Sequence, residues 1–216
     1  MSSKDNYNLL LEKLDQFTRK YYTNQIIRGA LFTTGSVLIL FLAYNLLESE
    51  FYFSKEIRKA LFYSFIAFTG IASSIWILTP LMHYFKLGKI ISYEQAARII
   101  GDHFGDVQDK LLNVLQLRSQ YSDAETAGLI EASIQQKSSQ IQLVPFKNAI
   151  DLTKNKKHLR FALPPLLLLL ALLVGAPSLI KDSAKRIIRN DQDFEKAAPF
   201  HFTLKNEKPS VVQFDN

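Results

Sequence analysis

The sequence predicts an all-α membrane protein with three transmembrane helices, a small cytoplasmic helical insert between the second and third, and the start of an extracytoplasmic β-domain at the C-terminus. Three observations predict it. Residues 29–47, 60–85 and 161–180 are apolar runs free of Asp, Glu, Lys and Arg, each long enough to cross a bilayer as a helix. Residues 86–160 carry helical periodicity with polar faces. Near the C-terminus the pattern switches to period two, the mark of a strand. The runs hold 65 of the 216 residues, so the mean hydropathy of +0.01 averages two unlike populations and describes neither.

Residues 1–28 read as an amphipathic N-terminal helix. Leu10, Leu14, Phe17 and Tyr21 fall on one helical stripe, with Lys13, Arg19 and Lys20 off it. Such a helix lies on the membrane surface or packs on the insert, and the pattern fits both. The stretch does not read as a signal peptide, being polar and amphipathic with no small-residue cleavage site after it.

Residues 29–85 form the transmembrane hairpin. The first span begins after Arg28 and ends at Glu48, with Thr33, Thr34, Gly35 and Ser36 inside it. The second, at 26 residues, must tilt or emerge at its end. Pro80 removes a backbone donor and bends it, while Trp76, His83 and Tyr84 suit an interfacial end. Gly70 and Ser74 make a small-xxx-small pair, with Ala67 and Ser73 nearby. This marks a helix-packing face, or arises by chance in a span rich in small residues.

The insert, residues 86–160, has clear helix punctuation. Ser92 and Gln95 make a capping-box pattern ahead of Ala96, Ala97, Ile99 and Ile100, and Gly101 and Gly105 are breakers. Asp106 caps a second helix with Val107, Leu111, Val114 and Leu115 on its stripe. Ser122 and Glu125 open a third, bearing Leu129, Ile130, Ile134 and Ile141. Three short helices make a marginal core alone, so docking on the membrane face or a partner is expected. Residues 144–152, with Pro145, read as an extended return to the third span.

The third span, residues 161–180, holds nine leucines, and Pro164 and Pro165 fall in its first turn, where a missing N–H costs little. Residues 181–216 read as an extracytoplasmic linker and first strands. A basic helical turn covers 181–189; Phe200, Phe202 and Leu204 then alternate with polar residues, and Val211, Val212 and Phe214 suggest a return strand. A lone hairpin is marginally stable, so the exported region is expected to continue as the rest of a longer protein.

Charge fixes the expected orientation. Lys and Arg number 5 before the first span, 3 in the hairpin loop, 11 in the insert and 7 after the third span. An inside N-terminus therefore places 16 inside and 10 outside, the favoured arrangement. The net charge of +6 does not indicate nucleic-acid binding, because no basic stripe is interleaved with exposed aromatics. Span flanking and headgroup contact account for it. The absence of cysteine excludes disulfides, thiolate zinc sites and a Cys nucleophile.

Several segments carry a resemblance. Residues 91–100 (ISYEQAARII), 109–117 (DKLLNVLQL) and 132–137 (ASIQQK) are three of them, and residues 144–146 (VPF), 163–166 (LPPL) and 198–202 (APFHF) are three more. Together they resemble a family of large bacterial inner-membrane proteins of unknown function. The resemblance covers nearly the whole chain from about Asn6. It implies a three-span N-terminal module followed by a long extracytoplasmic region with immunoglobulin-like and helical parts. It also implies partners: such proteins are in some bacteria encoded near MoxR-type AAA+ ATPases and von Willebrand factor A proteins, which points to envelope assembly. The family pattern carries no catalytic residues to transfer, and this chain stops where the exported domain should start.

No catalytic, cofactor-binding or metal-binding constellation stands out. Asp102, His103, Asp106 and Asp109 cluster without EF-hand spacing and read as a solvated turn with a capping Asp. The lack of charge in the spans argues against an ion or proton path. The expected function is a non-enzymatic anchor or scaffold subunit of a bacterial envelope complex. Its expected partner-packing residues are Leu10, Leu14, Phe17, Gly70, Ser74, Leu111, Leu115, Leu129 and Ile134. Two alternatives are an oligomeric transport subunit, with Thr33, Thr34, Ser73 or Ser74 on a wet path, and a signal-transmitting subunit.

Overall fold

The computed structural model describes residues 3–119, 127–141 and 143–194. All regular structure among them is helical. Helix α1 (Ser3–Phe51) runs 49 residues without a break, because no proline and no polar breaker cluster interrupts it. The amphipathic N-terminus and the first span are thus one element. At 1.5 Å per residue α1 is about 74 Å long, more than twice the hydrocarbon thickness of about 30 Å. Its first turns continue along the axis of the span instead of turning aside onto a membrane surface.

The hairpin turn is tight. Tyr52 takes the left-handed conformation (φ 48°) and its N–H donates to the Glu48 carbonyl at 3.1 Å, closing the helix as a glycine more often does. Helix α2 (Lys55–Ser73) returns and passes through a π-helical turn, Ser74–Leu78, into the short α3 (Thr79–Tyr84). Pro80 explains the π-turn's position, since it has no N–H to give the Trp76 carbonyl four residues back. Thr79 instead donates both its N–H and, at 2.9 Å, its hydroxyl to the Ser74 carbonyl. The disturbance expected at Pro80 therefore begins one turn ahead of it.

The insert contains α4 (Tyr93–Gly101), α5 (Gln108–Ser119) and α6 (Ala127–Ile141), with a 3-10 turn at Gly105–Val107. Both hydrogen bonds of the Ser92–Gln95 capping box form, at 3.0 and 3.2 Å. The Ser122–Glu125 pattern lies outside the described residues, as do the strand-like residues 199–216. The return to the third span is not extended. It winds through two 3-10 stretches, Phe146–Ala149 and Leu152–His158. Three contacts hold it against α1: Phe146 buries in the core, Lys20 Nζ donates to the Lys147 carbonyl at 2.7 Å, and Asn155 Nδ2 donates to Asn24 Oδ1 at 2.6 Å.

The third apolar run divides. Helix α7 (Leu159–Gly175) ends at Ala176 (φ −147°, ψ 64°), and α8 (Pro177–Ile188) starts anew on a proline suited to a first turn. Gly175 together with the missing N–H of Pro177 breaks the run that hydropathy alone carries to residue 180. Because α7 starts at Leu159, Pro164 and Pro165 sit inside it and not in its first turn.

Two packed regions result. In the first, Leu10, Leu14 and Phe17 of α1 join Ala97 and Ile100 of α4, Leu111 and Val114 of α5, Ile134 and Ile141 of α6, and Phe146. The marginal three-helix insert is completed by a fourth helix from its own chain. Each fully buried large side chain there contributes about 1.5–3 kcal/mol. In the second, α1 packs against α2, α3, α7 and α8. The outward faces of these helices stay apolar and exposed, as at Ile66, Ile71, Ile75, Leu167, Leu170 and Val174. A patch of this size suits lipid, not water. Three helical stretches are long and apolar enough to cross a membrane.

Candidate functional site: a glycine seam, a basic cavity and a buried ion pair

Backbone contact sets the seam between the spans. A Cβ on Gly29 would stand 1.8 Å from the Trp76 carbonyl oxygen, and one on Gly35 would stand 2.6 Å from that of Phe161. Both carbonyls lie four residues before a proline, Pro80 and Pro165, so neither receives the usual i+4 helical N–H. The two α1 glycines bring Cα–H groups against these oxygens, a weak polar contact that a side chain would abolish. Proline on one helix and glycine on its neighbour thus act as a pair, twice.

At the insert end of this seam a cavity of about 410 Å³ opens between α1, the α2–α3 junction and the start of α7. Gln25, Arg28, Trp76, Thr79, His83 and His158 are among its lining residues. A second cavity of about 200 Å³ shares Arg28 and His158 with it and adds Lys154 and Lys157. The His158 ring packs on Phe32 with centroids 4.9 Å apart, and its Nδ1 is buried with no hydrogen-bond partner among the described residues. Nearby, Asp15 receives Lys86 at 2.7 Å and the Tyr93 hydroxyl at 3.1 Å, which ties α1 to the hairpin exit and to α4. Burial, reinforced by the Asp15 carboxylate, holds the Tyr93 phenol above the ordinary tyrosine range.

At the opposite end an ion pair is buried. Arg186 of α8 donates through Nε to Glu48 Oε1 at 2.8 Å and through Nη2 to the Glu48 carbonyl and to Ser183 Oγ. Its guanidinium lies 4.3 Å from the centroid of the Tyr52 ring. The second Glu48 oxygen accepts the Phe53 N–H at 3.2 Å. Glu48 is fully buried and Arg186 nearly so. Removing one partner of such a pair costs about 3–5 kcal/mol, because the other charge stays buried. Arg58 adds a second tie, donating to the Phe53 carbonyl at 2.9 Å and the Gln192 carbonyl at 3.2 Å. Lys55 and Asp193 pair at 2.7 Å on the surface above it.

Of the residues expected to pack on a partner, Leu10, Leu14, Phe17, Leu111, Leu115 and Ile134 are buried in the chain's own insert core. In this structure they face the chain's own helices. Gly70 and Ser74 remain exposed, and a Cβ on Gly70 would meet nothing within 4 Å. Leu129 belongs to α6, and its side chain lies outside the described residues. Of the residues weighed for a wet path, Thr33 is buried, Ser73 is half-buried, and Thr34 and Ser74 are exposed. No group of three His, Asp or Glu suited to a metal occurs among the described residues.

The Glu48–Arg186 pair was not legible as a pair. Its sequence signal is faint: Arg186 is buried on the same α8 stripe as Ile180, Ser183 and Ile187, a charge on an otherwise uncharged face. No protein family, curated protein or solved structure matches the chain.

Proposed function

We propose that the chain is a non-enzymatic anchor and scaffold subunit of a bacterial envelope complex. In this reading it sits in the inner membrane with the N-terminus and insert in the cytoplasm and the tail outside. One observation carries the reading: α1 runs unbroken from the insert core to the buried Glu48–Arg186 pair. A partner bound to the insert and one bound beyond α8 would therefore share a single stiff element. The distribution of Lys and Arg supports the orientation. A MoxR-type ATPase or a von Willebrand factor A protein is the partner class that the family resemblance favours.

Crosslinking in cells, followed by purification in a gentle detergent, tests the proposal. A defined partner should copurify, and deletion of residues 86–158 should abolish its recovery. A chain that always runs as a lone monomer, unaffected by that deletion, would sink the reading. A signal-transmitting subunit is the second reading, favoured by the attachment of α8 to the hairpin turn through Arg186 and Arg58. It requires that Arg186→Met alter crosslinking yield at the insert end, which a passive anchor would leave unchanged.

A further inference from the structure

We propose that the cavity between α1, the α2–α3 junction and the start of α7 is a binding site for a phosphate-bearing anion, supplied by an anionic phospholipid headgroup. The argument begins with level. Arg28 immediately precedes the first apolar run, His83 lies at the end of the second, and His158 lies just before the third. The cavity therefore opens where three spans meet the headgroup layer.

Its chemistry is one-sided. Arg28 and His158 line both adjoining cavities, His83 adds to the first, and Lys154 and Lys157 add to the second. Arg28 has no acidic partner among the described residues. The one acid on the walls, Asp151, is engaged by the N–H of Thr153 at 2.9 Å and its hydroxyl at 2.6 Å. His158 Nδ1 is buried and unmatched by any protein group described.

Within one cavity the Arg28 guanidinium offers a charge-assisted fork, and the imidazoles add N–H donors, for phosphate oxygens to accept. Gln25 and Thr79 line the same wall and can complete the set. Trp76 and Phe32 supply the apolar side against which a glycerol ester and the first methylenes would lie. Basic pockets between membrane helices bind anionic headgroups on these terms. General span flanking would need only scattered surface lysines; it does not account for a walled cavity with a buried, unmatched imidazole nitrogen.

Trp76 is the chain's sole tryptophan, so its fluorescence reads the site directly. The full chain is reconstituted in bilayers mixing plain lipid with dibrominated phosphatidylglycerol or dibrominated phosphatidylcholine, and quenching gives relative affinities. Phosphatidylglycerol should be preferred by about tenfold, and Arg28→Gln or His158→Gln should bring the preference near unity with the thermal midpoint unchanged. Loss of the preference on adding inorganic phosphate would keep the phosphate chemistry and assign its source to the free anion. Equal quenching by the two lipids in the wild-type chain, or a preference that survives in both variants, overturns the proposal.

Discussion

Gly29 sets two physical effects against each other at one residue. Helix propensity alone would make Gly29→Ala stabilising by about 1 kcal/mol. The Trp76 carbonyl, 1.8 Å from the new methyl, reverses the sign, because backbone cannot move aside as a flexible side chain can. Overpacking of this kind costs about 1–3 kcal/mol. Thermal unfolding in detergent should show Gly29→Ala melting below the wild-type chain, with Gly70→Ala at or above it because its Cβ meets nothing. Equal melting of the two variants would remove the seam as a stabilising feature. The sequence showed both glycines and all the prolines, but not that they face each other. That pairing depends on the relative registration of two helices, which no local pattern encodes.

Among the elements, α1 and the insert form one folding unit. The capping box and the α4 and α5 stripes were readable from spacing, because they are local. The fate of the N-terminal stripe was not, since lipid and a helix face reward the same apolar pattern. Two elements departed from expectation for identifiable reasons. The return segment wound into 3-10 turns because Phe146 fills the insert core, and the third run broke at Ala176 because Pro177 lacks an N–H. Phe17→Ala should loosen the insert by about 3–5 kcal/mol, although Phe17 belongs to a different helix. Amide exchange should then quicken across residues 93–117 while α7 stays protected. Exchange confined to the first turns of α1 would contradict a shared core.

For the whole molecule, the three spans were legible because roughly twenty uncharged residues in a row have few other uses. What ties the hairpin turn to α8 was not, because Glu48 and Arg186 are 138 residues apart in the chain. The proposed orientation is directly measurable, since the chain has no cysteine to remove. Single cysteines at the exposed positions Glu94 and Lys185 should label from opposite sides of sealed vesicles, with Glu94 reached from the cytoplasmic face. Labelling of both from one side would refute the three-span arrangement, and labelling with the sides exchanged would refute only the orientation. The length of α1 has a mechanical meaning as well. A rod of about 74 Å clamped along its length to the other helices tilts with them as one body and is their longest lever arm. Tilting it by about 10° would swing the Ser3 end through about 13 Å, on the scale of a helix diameter. A small change of bilayer thickness, met by tilt, would thus be magnified at the insert into a displacement large enough to move a neighbour.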